Sequence, residues 1–365
     1  MKVLMICGAY TPDKCGVGDH AKIIYETFLN LDNSNDYYLL NSANLLKNNV
    51  SIDTFKLEWS IFENKKILKK IRNINPDIIH VQFPAKRYNY SFGILFLIKK
   101  LKKLGFKIIV TLHEYSYSPY LAKLRTNVII KNIDLLLVVD EKYGVDLVSK
   151  KNISSDRVFR LPISSSMPKN NLLASEKHDF KKKIINNGLV LGYFGFAIAN
   201  KKLETILEVG KKLKQLNINF IIIFICELND TNSYQKSILN LIKESDLEEN
   251  VIITGYLDAL EVSFYLSICD FVIYPFEDSI STKSSSVLAA MLQGVKVITT
   301  TNDAPLNFAP WNKAYNVKNY TCINDILQII LDNKDNDTKI DYNIITWDQV
   351  ANIQLDLYKR LLDDE

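Results

Sequence analysis

The chain has 365 residues, enough for about two domains, and its 47% hydrophobic and 24% charged residues are the balance of a globular protein, not a disordered or fibrous one. A net charge of +4 is too small to argue for nucleic acid as a partner. Five cysteines (Cys7, Cys15, Cys226, Cys269, Cys322) show no CxxC pair and no metal-ligand spacing, which points to reduced thiols, a cytoplasmic setting and no metal.

The first element, MKVLMICGAY, lacks the charged start and cleavage site of a signal peptide and reads as a short buried strand. Apolar runs predict strands over Val3–Cys7, Tyr37–Asn41, Asp77–Val81, Lys107–Leu112 and Leu135–Val139. A second series follows over Leu189–Phe194, Asn219–Ile225, Val251–Thr254, Phe271–Tyr274 and Lys296–Thr300. The runs are continuous, as parallel strands covered on both faces require, and the segments between them are long enough for crossover helices. The stretch PISSSMPKNNLLASEKHDFKKKIINNG separates the two series. The expected organisation is an α/β chain of two Rossmann-like, doubly wound parallel-sheet domains facing across a cleft: residues 1–165, a linker with a helix over 166–188, a second domain over 189–345, and a terminal helix over 346–365. Trp347, Val350, Ile353, Leu357 and Leu361 give that last helix one apolar face, to dock on the first domain. No window reaches the roughly eighteen apolar residues of a membrane span.

Open parallel sheets bind ligands at the carboxyl ends of their strands. Four loops at such ends stand out. GAYTPDKCGVGDH places Gly16 and Gly18 before a helix expected near Asp19, where glycine lets backbone approach an anion; a plain flexible turn is the alternative. TLHEYSYSP brings His113 out of a strand beside Glu114, which could orient it; His113 could donate to a sugar hydroxyl, or simply be satisfied by a carbonyl. His80 reads as structural, and Gln82, two residues on, lies nearer the ligand end. GYFGFAIANKKLETIL sets Lys201 and Lys202 at a helix start, against the dipole, which calls for a compensating anion; Glu204 or solvent would also serve. The fourth loop, Ser281-Thr282-Lys283-Ser284-Ser285-Ser286, precedes a helix and reads as a diphosphate cradle, beyond what a serine cap needs. Two lysine runs, around Lys65–Lys70 and Lys99–Lys107, fit either solvated helix faces or peripheral contact with an anionic membrane surface.

Together these pieces resemble, over nearly the whole chain, the retaining glycosyltransferases of the GT-B fold, in particular the large family-four group. The resemblance rests on Gly16 and Gly18, IIHVQFP, TLHEY, FGF followed by Lys201, and the strand–loop–helix from Cys269 to Thr301. It implies transfer of a sugar from a UDP- or GDP-sugar donor to a glycan or lipid-linked glycan, with retention, in bacterial cell-surface polysaccharide synthesis. It gives His113, Lys201 and Lys283 catalytic roles and puts Gly16, Gly18, Gly195, Ser284, Ser285 and Ser286 at the donor. Gln82 and Glu114 would face the acceptor, in loops around Gln82–Asn89 and Tyr115–Leu124. Protein cations would take a metal's place, so no cofactor is expected. The chain departs from the family at Ser281 and Ala289, where most members carry two glutamates, and at Phe196, where many carry arginine. A non-catalytic partner subunit of a polysaccharide-assembly complex, and a nucleotide-sugar epimerase, are therefore the other readings.

Overall fold

The computed structural model describes the chain except residues 11, 12, 14, 32, 33, 89, 90, 117, 152, 302–309, 337, 364 and 365, and the side chains at 150 and 151. It divides into two compact units, one made of Met1–Ile163 with Ile345–Glu365, the other of Ser164–Ile344.

In the first unit the described strands are β1 (Lys2–Ile6), β2 (Asp36–Leu40), β3 (Asn44–Lys47), β4 (Val50–Thr54), β5 (Ile78–Phe83), β6 (Lys107–Leu112), β7 (Leu135–Val138) and β8 (Val158–Arg160). They form one sheet in the order β4-β3-β2-β1-β5-β6-β7-β8. From β2 to β8 neighbouring strands are parallel, with His80 opposite Met5 on one side and Ile109 on the other. β5 is buried at all six positions, as a central parallel strand must be. The edge differs from the expected all-parallel sheet, because β3 and β4 run antiparallel. Asn48 and Asn49, both at positive φ, close the β3–β4 hairpin. β4 is mostly exposed and polar, so it lacks the apolar run that marked the other strands.

The helices of this unit are α1 (Gly16–Leu31), α2 (Asn64–Ile74), α3 (Gly93–Lys103), α4 (Tyr120–Ile130), α5 (Glu141–Lys151) and, after the chain returns, α12 (Trp347–Asp363). α1 begins three residues before the expected start, so Gly16 and Gly18 lie in its first turn. α12 packs on α1 with Val350, Ala351, Gln354, Leu355 and Tyr358 buried. That face is turned from the one expected, since Ile353 is exposed and Gln354 wholly buried. The cause is polar: Tyr358 Oη reaches His80 inside the sheet at 2.5 Å, which an apolar count cannot register.

The second unit carries β9 (Leu189–Phe194), β10 (Phe220–Ile225), β11 (Val251–Ile253), β12 (Phe271–Tyr274), β13 (Lys296–Thr300) and β14 (Tyr315–Val317). All pairs are parallel, in the order β11-β10-β9-β12-β13-β14. Around this sheet run α6 (Ala174–Ile184), α7 (Leu203–Gln215), α8 (Ser233–Glu244), α9 (Ala259–Ile268), α10 (Ser285–Leu292) and α11 (Ile323–Asn333). β9 and β12 are adjacent while β10 and β13 lie outside them, so the chain reverses direction between β9 and β12. Such a reversal opens the crevice where open α/β sheets bind ligands. All five cysteines are free thiols. No helix among the described residues is long and apolar enough to cross a membrane.

Candidate functional site

The loops leaving β9 and β12 meet at that reversal. Glu277 N donates to the Asn200 carbonyl at 3.0 Å, tying one loop to the other. Tyr193 Oη donates to the Phe196 carbonyl at 2.9 Å, and Tyr274 Oη to the Ser286 carbonyl at 2.6 Å, so a strand tyrosine anchors each loop. Gly195 has φ +141°, and a Cβ there would lie 3.7 Å from Ser286. The FGF turn and the start of α10 are therefore neighbours.

Lys201 ends a short 3-10 turn, Ala199–Lys201, and its Nζ stands 3.5 Å over the Phe276 ring. Burial pushes its pKa down to about 8, Asp278 pulls it back up, and the charge of Lys283 lowers it further. Lys201 and Lys283, predicted as the two site cations, thus feel each other. Lys202 is different: it caps α7 in a left-handed conformation (φ 51°) and pairs with Glu277 at 3.2 Å. Glu204, the alternative offset for the lysines, accepts from Tyr234 Oη at 2.7 Å and favours the charge of Lys202. Among the described residues no carboxylate forms an ion pair with the half-buried Lys201 ammonium, which stands at the loop end of a parallel sheet near the charge of Lys283.

The serine loop is more self-contained than a row of free amides. Ser284 N donates to Ser281 O at 3.0 Å and Ser285 N to Lys283 O at 2.9 Å, while Ser284 Oγ accepts from Ser281 N at 3.2 Å. The amides of Ser284 and Ser285, expected to point at a ligand, are spent inside the turn. Ala289 lies wholly buried within α10, and Ser281 is half-buried.

In the first unit, Gly18 and Gly16 separate by role. A Cβ on Gly18 would fall 3.0 Å from the Ala9 carbonyl oxygen, so Gly18 lets α1 sit close on the chain leaving β1; a Cβ on Gly16 would meet nothing within 4 Å. Only Gly16 leaves open space at the helix start. His113 is buried at the end of β6, with Nε2 2.9 Å from Gln82 Oε1. Glu114, expected to orient it, is exposed; Gln82 does so instead. Behind Gln82 lies His80, whose Nε2 is 2.7 Å from Thr111 Oγ1 and 3.4 Å from Gln82 Nε2, and whose Nδ1 meets Tyr358. Burial pushes the His80 pKa down to about 3, with a smaller push from His20, so it is neutral at pH 7. A neutral His80 that accepts at Nε2 donates at Nδ1. The order Tyr358–His80–Gln82–His113 then fixes the amide of Gln82 with its oxygen toward His113, whose Nε2 must be the donor.

Sequence reasoning missed His20. It lies on the buried face of α1, its ring centroid 4.8 Å from that of His113 and 5.2 Å from Trp347, with Nε2 buried and unpartnered. Burial pushes its pKa down to about 4. A histidine directly before the buried Ala21, on the helix face that Ile24 and Phe28 continue, was the available signal. Asp278 and Phe276 were missed too, though both follow directly on a strand end. The acceptor-side positions Asn89 and Tyr117, and Thr11, Pro12 and Lys14 of the first loop, lie outside the described residues. Among the described residues no group of three or more His, Cys, Asp or Glu side chains could hold a metal ion.

Two parallel-sheet units of this kind define the GT-B class of glycosyltransferase structures. The chain is similar throughout its length to a glycosyltransferase of Rickettsia africae ESF-5 (15% identity, TM-score 0.77, 100% of this chain and 99% of that one). It is similar to the Anabaena protein Alr3699/HepE in complex with UDP and glucose (11% identity, TM-score 0.67, 100% and 98%). The UDP-GlcNAc 2-epimerase of Methanocaldococcus jannaschii shares the fold as well (14% identity, TM-score 0.62, 98% and 100%). Residues 174–347, which take in nearly all of the second unit, match the family described as Glycosyl transferases group 1. A Plasmodium falciparum (isolate 3D7) protein described as "Putative mitoferrin" is 37% identical over 128 residues, 32% of this chain; the chain spans about a tenth of that protein's length (10%).

Proposed function

We propose that this protein transfers a sugar from a nucleotide diphosphate sugar to a glycan or lipid-linked glycan, with retention, in the synthesis of a cell-surface polysaccharide. The observation that carries the proposal is the pair Lys201 and Lys283 at the β9–β12 reversal of a glycosyltransferase group 1 domain. A departing nucleoside diphosphate develops negative charge, and cations already held in place stabilise it without reorganisation. Burial makes Lys201 better at this, because a desolvated ammonium without a paired carboxylate gains most from an arriving anion. Gly195 and Ser286 line the same spot, with Ser284 and Ser285 shaping the turn; Gly16 and Gly18 are assigned to the donor by the family resemblance alone. His113, held by Gln82 as an Nε2 donor, would serve the transferred sugar. Gln82 positions His113 in this reading and Glu114 is left for the acceptor. No metal is needed, because the two lysines carry the charge.

The test is donor turnover by Lys201→Ala beside wild type. Removal of a preorganised charge of this kind costs about 100-fold or more in turnover. Unchanged turnover sinks the role of Lys201, and absence of calorimetric binding to both UDP and GDP sinks the donor site. UDP is the first ligand to try, since the similar Anabaena structure holds it.

A second reading, a binding subunit without activity, is favoured by Ser281 and the buried Ala289, which stand where the family's two glutamates would be. Turnover of any donor by the purified protein excludes it. Release of an epimerised free sugar without acceptor would instead favour epimerase chemistry, which the same fold supports.

A further inference from the structure

α2, α3 and α4 pack side by side, and the 3-10 turn Ile61–Glu63 packs on both α2 and α3. Their outward sides are not ordinary solvated faces. Phe62 is 94% exposed, Tyr120 74%, Leu121 72% and Phe92 60%, with Phe96 and Leu124 exposed beside them. On α4 the exposed residues Tyr120, Leu121, Leu124 and Val128 follow helical spacing, so they form a stripe. The Arg125 guanidinium lies 5.7 Å over the Phe92 ring and bonds the Ser91 carbonyl at 2.7 Å, which joins the α4 stripe to the start of α3. A soluble surface rarely groups aromatic and aliphatic side chains in this way without a partner.

Charge names the partner. Over α2, α3 and α4 the sequence has eleven Lys and Arg and no Asp or Glu, in a chain whose total net charge is only +4. Lys70 and Lys102 are neutralised by Asp53 and Asp134. Lys65 and Lys69 on α2, and Lys99, Lys100 and Lys103 on α3, are exposed, as is Lys66, whose ammonium lies 5.6 Å over the Phe55 ring. Lysines around exposed aromatics suit a surface that is anionic at the headgroups and apolar just beneath them.

We infer that the face formed by α2, α3 and α4 docks on an anionic lipid bilayer, with Phe62, Phe92, Phe96, Leu121 and Leu124 entering the headgroup region and the α2 and α3 lysines resting on the lipid charges. The inference does not depend on the reaction catalysed. α3 and α4 start from the ends of β5 and β6, so Phe92 and Leu121, at those starts, lie toward the same end of this sheet as Gln82 and His113. Under the proposed function, a lipid-linked acceptor would approach from that end.

The full-length protein is sedimented with phosphatidylcholine vesicles, with and without phosphatidylglycerol, at low and high salt. Wild type is expected to bind the anionic vesicles, to lose most of that binding in high salt, and to bind neutral ones weakly. Phe92→Glu with Leu121→Glu should reduce partition by roughly tenfold or more. Leu260→Glu, an equally exposed leucine of the second unit, should bind as wild type. Circular dichroism melting checks that the variants fold. If the double variant does not, Lys65→Glu with Lys99→Glu makes the same test on two solvated side chains. No partition onto anionic vesicles overturns the inference, as does equal partition of the docking-face variants and wild type. Binding of heparin with an affinity that Phe92→Glu and Leu121→Glu leave unchanged, together with vesicle binding they also leave unchanged, assigns the face to a soluble polyanion instead. Because binding and donor turnover are read separately, loss of one leaves the other standing.

Discussion

Lys201 is worth most as a free cation and costs most in the same state. Its pKa is pushed down to about 8, mainly by burial, from an ordinary 10.5. The unfolded chain therefore binds more protons than the folded one between those values, so this group's contribution makes stability rise as pH increases through that window. Below about 8 the charged form is a liability of up to roughly 3 kcal/mol. The donor site needs the opposite. Donor kcat/KM is expected to fall as pH rises through about 8, and Lys201→Arg, whose guanidinium stays charged, should move that limb upward. A wild-type profile that stays flat across this pH would detach Lys201 from the chemistry. Lys201→Met should melt a few degrees higher than wild type while losing turnover, the trade expected of a strained functional residue. The lysine itself was legible in the sequence, from its place after a strand and before a helix. Its depressed pKa was not, because the burial that lowers it comes only with folding, and Lys283, which lowers it further, lies about eighty residues away in the chain.

At the level of elements, the first turn of α1 separates packing from binding. Gly16→Ala meets open space and replaces a flexible helix residue, so stability should hold or improve by about 0.5–1 kcal/mol. Gly18→Ala drives a methyl to 3.0 Å from the Ala9 carbonyl and should cost about 1–3 kcal/mol. Urea unfolding of the pair checks this, and equal midpoints would mean that α1 shifts to absorb the methyl. If the Gly16 amide faces the donor, Gly16→Ala lowers nucleotide-sugar affinity without lowering stability. The contact between α12 and β5 gives a second case. Tyr358→Phe strands the buried His80 Nδ1 and should cost about 1–3 kcal/mol. It should also slow turnover if His113 depends on its Gln82 contact; a loss of stability with turnover untouched would confine the relay to folding. The central strands were readable because each is an unbroken apolar run; their order in the sheet was not. β3, β4, β8 and β14 were not, since strands of three to five residues at or beside a sheet edge carry too short an apolar run to stand out. The Asn48-Asn49 turn was the one local clue to the hairpin.

For the whole molecule, the two units differ in continuity. The second is one stretch, Ser164–Ile344, whereas the first needs Ile345–Glu365 to return and cover α1. Deleting residues 345–365 should abolish the cooperative unfolding of the first unit, because Phe28, His80 and Trp347 belong to one packed cluster with Tyr358, His20 and α1. The second unit's calorimetric transition and its binding of UDP or GDP should survive. Loss of both transitions together would mean that the units fold only as one.

The sequence by itself determined the class of fold and the candidate loops. Parallel strands buried on both faces must be apolar throughout, and phosphate-binding loops must carry small residues and cations at strand ends, so both leave local marks. Tertiary structure alone decided which residues in those loops act together. Gln82 rather than Glu114 holds His113, burial and then Asp278 and Lys283 set Lys201, and the amides of Ser284 and Ser285 are consumed by their own turn. Hydrogen bonds, desolvation and Coulomb forces depend on distance in space, and the chain brings those partners together only when the sheets form.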